Sequence, residues 1–184
     1  FSGGWRLSEE EFMKNVKFVN ELKLRLSYGV VGNQSGISRY DGMQLYNFNS
    51  VNGAYIGDGR ISYIKTSGEI ATMGRSWERI HNYNLGLDFH LFDSRLQGTV
   101  ELFMKKNNNM LIAVAYPGIL GDKAPASNSG KFEAKGYEGT VTWSDKIGKV
   151  NYHVGGTFTY ADNKLVDYGG VTVFKSGFVD KQQG

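Results

Sequence analysis

The feature that most constrains this chain is a strict alternation of apolar and polar residues. In Leu22-Lys23-Leu24-Arg25-Leu26-Ser27-Tyr28-Gly29-Val30 every even position is apolar and every odd one is polar or glycine. A period of two belongs to a β-strand whose two faces meet different surroundings. A helix would put Arg25 and Gly29 on the same stripe as Leu22 and Leu26, which defeats amphipathicity. The pattern returns at Asn82–Leu91, with Tyr83, Leu85, Leu87, Phe89 and Leu91 on one face. After a tight turn at Asp93-Ser94 it continues from Arg95 to about Lys105, with Leu96, Gly98, Val100, Leu102 and Met104 together and Phe103 breaking the polarity of the other face. Two further strands follow. About Lys131 to Trp143 alternates, with Gly136 as a candidate bulge because Phe132 and Ala134 have the opposite parity to Tyr137, Val141 and Trp143. Beyond a turn at Ser144–Lys149, Val150, Tyr152, Val154, Phe158 and Tyr160 oppose Asn151, His153, Thr157 and Thr159.

Composition narrows the class. The 184 residues include 25 Gly, 11 Tyr and 11 Phe but only 2 Pro, a balance that favours an all-β protein. Mean hydropathy is −0.37, and no stretch reaches the roughly 18 apolar residues of a transmembrane helix. A membrane barrel is untouched by that limit, because its strands show only every second residue to lipid. The best helix is expected from Ser8 to about Lys17, where Ser8 and Glu11 form a capping box.

The connections alternate in length. Asp93-Ser94 and Ser144–Lys149 are short, whereas about Gly32–Ile80 and Asn107–Gly130 are long. Short periplasmic turns and long extracellular loops mark an outer-membrane barrel, and strands of about ten to twelve residues, tilted about 45°, cross the hydrocarbon layer. Alternation alone fits a soluble β-sandwich equally well, with the apolar face on a core instead of lipid. Aromatics near strand ends (Trp77, Tyr83, Phe92, Trp143, Tyr152, Tyr160) suit interfacial girdles or a core.

Other chemistries find little support. There is no cysteine, so no disulfide and no Cys-based zinc site. The net charge of +3 is scattered, without the basic footprint of a nucleic-acid binder. His81, His90 and His153 lack metal-ligand spacing, no Ser sits in a Gly-x-Ser-x-Gly elbow, and no cofactor motif is present. Gly53–Gly59 is Gly-rich, but Arg60-Ile61-Ser62-Tyr63 supplies none of the Lys-Ser/Thr of a phosphate loop, so it reads as a loop. Asn33-Gln34-Ser35 matches a glycosylation sequon, which would have no weight on the outer-membrane barrel reading. Nothing calls for an enzyme.

At this point the residues resemble a known family. Gly4-Trp5-Arg6-Leu7-Ser8-Glu9-Glu10, Phe12-Met13-Lys14 and Leu22 through Gln34 are similar to a stretch of SusC/RagA-type TonB-dependent outer-membrane transporters. The likeness continues through Trp77-Glu78, Asn84–Phe89, Phe103–Lys106, Asn109-Met110-Leu111, Asn128-Ser129-Gly130, Lys135–Glu138 and Tyr160–Lys164, with Tyr137 where an aliphatic residue is expected. The resemblance implies that residues 1–184 are part of a β-barrel domain of about 22 strands. About five to six of those strands would lie in this chain, with the plug domain, the TonB box and the barrel ends outside it. It implies import of nutrients such as glycans or peptides across the outer membrane of a Gram-negative bacterium, with TonB and a SusD-like surface lipoprotein as partners. The alternative is a soluble carbohydrate-binding or adhesion sandwich.

On the barrel reading Lys23, Arg25, Asp88, His90, Glu101 and His153 face the lumen. They serve either as a substrate path or as compensating charges that keep the wall wet. Tyr40, Tyr46, Tyr55, Tyr63 and Trp77, in the long first connection, are candidates for contact with cargo or lid. The tail from Gly169 to Gly184 is expected to begin another extracellular loop.

Overall fold

The computed structural model describes residues 1–49, 55–57, 59–60, 63–66, 70–113 and 123–168. Among the described residues ten strands follow one another: β1 (Ser2–Arg6), β2 (Val19–Asn33), β3 (Tyr46–Asn49), β4 (Tyr55–Ile56), β5 (Gly59–Arg60), β6 (Tyr63–Thr66), β7 (Glu78–Leu91), β8 (Leu96–Ile112), β9 (Ser127–Ile147) and β10 (Val150–Tyr168). Six of them form one sheet in the order β1-β2-β7-β8-β9-β10, and β3 with β6 and β4 with β5 form two separate pairs. Strand β1 runs antiparallel to β2, with Gly4 opposite Arg25 and Trp5 opposite Leu24. Strands β7 and β8 are antiparallel from Ile80↔Asn107 to Leu91↔Leu96.

The strands of the main sheet are longer than the apolar pattern. β8 has 17 residues, β9 has 21 and β10 has 19. Hydrophobic alternation ends where the surroundings change, but the backbone ladder continues. Asn107-Asn108-Asn109 carries no apolar signal and still lies in β8. The second turn is correspondingly tighter than the sequence suggests, since β9 extends to Ile147 and β10 begins at Val150, with Gly148 at φ 61°. In the first turn Phe92, Asp93 and Ser94 are all left-handed, with φ of 56°, 56° and 60°. It is held by Arg95 N–H donating to the Phe92 carbonyl at 3.2 Å and by Ser94 N–H donating to Asn20 Oδ1 at 3.0 Å.

The expected helix from Ser8 to about Lys17 is corrected. Two isolated 3-10 turns stand there, Leu7–Glu9 and Glu11–Met13, parted by an extended Glu10 (φ −78°, ψ 148°). Neither turn has a side-chain cap, so the Ser8–Glu11 box does not form. The Glu10 carboxylate instead accepts from the Trp5 indole N–H at 2.7 Å. A segment this short cannot meet the cost of helix nucleation without such a cap.

Gly136 lies within β9, where the lack of a side chain supplies room. A Cβ there would lie 2.1 Å from the Tyr160 carbonyl oxygen and 2.7 Å from the Phe103 ring. The tail from Gly169 to Gly184 lies outside the described residues.

Contacts divide the chain into two compact units. The first comprises Phe1–Val31, Arg79–Asn107 and Phe132–Leu165. Its apolar face is in the open: Leu26 is 63% exposed, Leu85 39% and Leu102 51%. The second comprises Gly32–Glu78, Asn108–Lys131 and Val166–Gly184. It contains the two small strand pairs, and among its described residues Arg75, Glu78 and Asn128 bond to backbone groups.

Candidate functional site

In the first unit the alternation places Lys23 and Arg25 of β2 on one face, with Leu24 and Leu26 on the other. The β7–β8 register pairs Asp88 with Thr99, Gly86 with Glu101 and His90 with Gln97, so these residues share a face too. Arg25 is the centre of this polar face. Its Nε donates to Asp88 Oδ2 at 2.7 Å and its Nη2 to Asp88 Oδ1 at 2.9 Å, a two-pronged pair. The same Nη2 lies 2.6 Å from Glu101 Oε1 and 3.2 Å from Thr99 Oγ1. Thr99 closes the group by donating its hydroxyl to Asp88 Oδ1 at 2.8 Å.

Glycine makes space for the guanidinium. A Cβ on Gly86 would sit 2.9 Å from Arg25 Nη2, and on the other neighbouring strand Gly4 lies opposite Arg25. Gly4 also leaves room for Lys23, whose Cε would be 3.3 Å from a Cβ there. Between these glycines lies an open depression of about 290 Å³, lined by Ser2, Lys23, Arg25, Ser27, Asn84 and Gly86 among others.

Of the six polar residues that the sequence singles out for this face, Arg25, Asp88 and Glu101 are therefore bonded together. His90 stands 3.5 Å from Glu21 in a pair of its own, and Lys23 borders the depression. His153 is an exposed residue of β10 and, among the described residues, is not joined to the Arg25 group. Gly86 and Thr99 were missed by sequence reasoning. Thr99 lies on the correct parity in an alternating strand, so its face was legible. Nothing marks a glycine as the seat of an arginine from a strand so distant in the chain.

In the second unit the long connections hold buried charge. The Arg75 side chain is 7% exposed and donates from Nη1 to Asp41 Oδ2 at 2.9 Å and from Nε to the Ala126 carbonyl at 3.1 Å. The Asp41 carboxyl is held below its ordinary range, first by the Ser38 backbone N–H at 2.9 Å and then by Arg75, against the opposing effect of desolvation. Glu78, 8% exposed, accepts from Asn33 Nδ2 at 3.0 Å and from the Leu111 backbone N–H at 2.7 Å. Asn128 donates to the carbonyls of Ser76 and Asn109 and accepts from Ser76 N–H. Tyr40, Tyr46 and Trp77 are exposed in this unit. The side chains of Tyr55 and Tyr63 lie outside the described residues. The Gly-rich segment Gly53–Gly59 is described only at Tyr55–Gly57 and Gly59, where β4 pairs with β5.

An antiparallel sheet with one bare apolar face and one charge-compensated polar face is the build of a transmembrane β-barrel wall. The comparisons agree. The model of the TonB dependent receptor-like, beta-barrel family matches residues 4–180, and the chain belongs to that family of outer-membrane proteins, on its SusC/RagA side. TonB-dependent receptor P39 of Formosa agariphila is 30% identical over 182 residues, covering 95% of this chain and 16% of its own length. TonB-dependent receptor SusC of Bacteroides thetaiotaomicron is 31% identical over 141 residues, covering 75% of this chain and 14% of SusC. Among solved structures, the RagAB peptide importer in its "open-open" state superposes with a TM-score of 0.78 at 23% identity, over 96% of this chain and 19% of that one. The "closed-closed" state gives 0.76 at 25% identity over the same shares. The chain thus spans about a sixth of the curated relatives it matches. Those relatives are TonB-dependent receptors and a peptide importer.

Proposed function

We propose that this chain forms a wall segment of a TonB-dependent outer-membrane importer. The observation that carries the reading is the division of the sheet. Leu26, Leu85 and Leu102 are bare on one face, while Arg25, Asp88, Thr99 and Glu101 satisfy one another on the opposite face. A bilayer accepts the first face and a water-filled lumen the second. A soluble sandwich would bury those leucines under a second sheet; the family match over residues 4–180 supports the membrane wall instead.

The cargo on this reading is a peptide or glycan. RagAB is a peptide importer, and SusC is a relative at comparable similarity. The exposed Tyr40, Tyr46 and Trp77 are surfaces on which sugar rings or peptide side chains can stack. A SusD-like lipoprotein over the extracellular loops and TonB on the periplasmic side are the partners this function needs. The polar face serves first as a wet, compensated wall, and the depression beside Arg25 and Lys23 offers cargo a place to pause.

Site-directed labelling of the full-length protein in outer-membrane vesicles tests the reading. Cysteines placed at Leu85 and Leu102 should be shielded from a water-soluble maleimide and quenched by brominated lipid, while cysteines at Asp88 and Gln97 should react from water. Equal labelling of both faces would reject a membrane wall. Deletion of the gene should then abolish growth on one peptide or glycan source and spare growth on its monomers.

A further inference from the structure

The apolar face carries charge at one end, and among the described residues cations outnumber carboxylates there. His81 of β7 lies opposite Lys106 of β8, on the same face as the pairs Tyr83–Met104 and Leu85–Leu102. Lys106 reaches Glu133 of β9 at 3.7 Å. Alternation along β9 puts Lys135 and Tyr137 on the face of Glu133. Tyr137 stacks on Tyr160 of β10 with ring centroids 5.3 Å apart, and alternation then adds Asp162 and Lys164. One step before His81 along the same face of β7 is Arg79, which is exposed, as are Lys135 and Lys164. Four cations (Arg79, Lys106, Lys135 and Lys164) thus stand with two carboxylates (Glu133 and Asp162) on this stretch.

Next to the charges runs an aromatic row. Tyr28 packs 5.0 Å from Tyr83, and its hydroxyl lies 2.8 Å from His81 Nδ1. Beyond the row come the bare leucines. The order along the strands is therefore cation, tyrosine, leucine. It lies at the strand ends from which the long connections leave, the outer side of an outer-membrane barrel.

We propose that this stretch binds a phosphorylated glycolipid of the outer leaflet, with its phosphates on Lys106 and Lys135 and its acyl chains along Leu26, Leu85 and Leu102. The inference rests on the membrane-wall reading of the preceding section. A basic cluster facing lipid attracts anionic headgroups, each Lys or Arg adding on the order of 1 kcal/mol at the surface. Long basic side chains reach from an apolar wall to the headgroup layer. Glu133 orients Lys106 without cancelling the surplus.

The test uses the full-length protein purified in mild detergent, with native mass spectrometry and titration against a bisphosphorylated lipid A. K106Q/K135Q should retain at least tenfold less of it than wild type. K146Q, at the other end of β9, should leave retention unchanged. Dephosphorylated lipid A should bind the wild type poorly, and inorganic phosphate alone should neither bind detectably nor compete. Undiminished retention by K106Q/K135Q would overturn the proposal. Full competition by inorganic phosphate would reassign the stretch to free anions and equally overturn it. Heat-modifiable migration on gels confirms that each variant is folded. A protein that fractionates to the outer membrane but ignores lipid A refutes this inference alone; one absent from that fraction refutes the membrane wall.

Discussion

The two units solve opposite problems with the same residue types. In the sheet unit the charged group is half open: the side chains of Arg25, Asp88 and Glu101 are 37%, 32% and 26% exposed. The sheet does not depend on them for its hydrogen bonds, which the ladder supplies. In the unit of long connections buried charged side chains bond to backbone groups that the strand ladders leave over. Arg75 serves a carbonyl and a carboxylate, and Glu78 takes an amide N–H. Polar contacts therefore tune a wall but hold a loop together, and substitutions in the two regions should differ accordingly.

The largest effect is expected at Arg75. R75A would leave the Asp41 carboxylate and the Ala126 carbonyl without this partner, at a cost of about 3–5 kcal/mol to that unit. Limited proteolysis of the full-length protein should show rapid cleavage within residues 32–77, while heat-modifiability of the barrel persists. Next comes the apolar face. L102R should lower stability in lipid vesicles by about 2–4 kcal/mol by urea titration, if Leu102 sits near the bilayer midplane. A cost near zero would place Leu102 in water and erase the contrast between the faces. Smaller still is the Arg25–Asp88 coupling, about 1–2 kcal/mol in a double-mutant cycle because both side chains are partly solvated. G86V should remove a similar amount by crowding the guanidinium, and little more when combined with R25A.

The smallest effect is a pH response. The Asp41 carboxyl is depressed in the folded state, so it binds fewer protons folded than unfolded at mildly acid pH. Its contribution is complete above the ordinary aspartate value of about 3.9 and is lost as pH falls through the lower folded value. Protease resistance of residues 32–77 should be flat from neutral to mildly acid pH and should fall only below about pH 4. D41N should abolish that fall.

The sheet was legible because alternation is a local signal. Leu22–Val30 and Asn82–Leu91 show it in full, and their facing residues follow at once. Strand ends were not legible, because Asn107–Asn109 lies in β8 by its backbone and not by its hydropathy. The Ser8–Lys17 helix failed for a related reason: a capping box forms only where its acid is left to the backbone, and here the Glu11 carboxylate goes to Lys14 while the Glu10 carboxylate takes the Trp5 indole. At the site, parity gave the shared face of Arg25, Asp88 and Glu101. The bonds among them depend on registers across β2, β7 and β8 that no single strand encodes. Glu78 and Arg75 were invisible as buried charges, since burial in a long connection leaves no period to read.

Spatial order in the main sheet matches chain order, β1-β2-β7-β8-β9-β10, with the four short strands pairing among themselves. Each newly made strand can thus zip onto the one before it. Only the step from β2 to β7 must wait for a distant stretch of chain, and its loop-closure cost grows only slowly with length. Assembly by successive addition at a single growing border would leave every strand behind that border, β1 apart, already paired on both sides and closed to chance pairing.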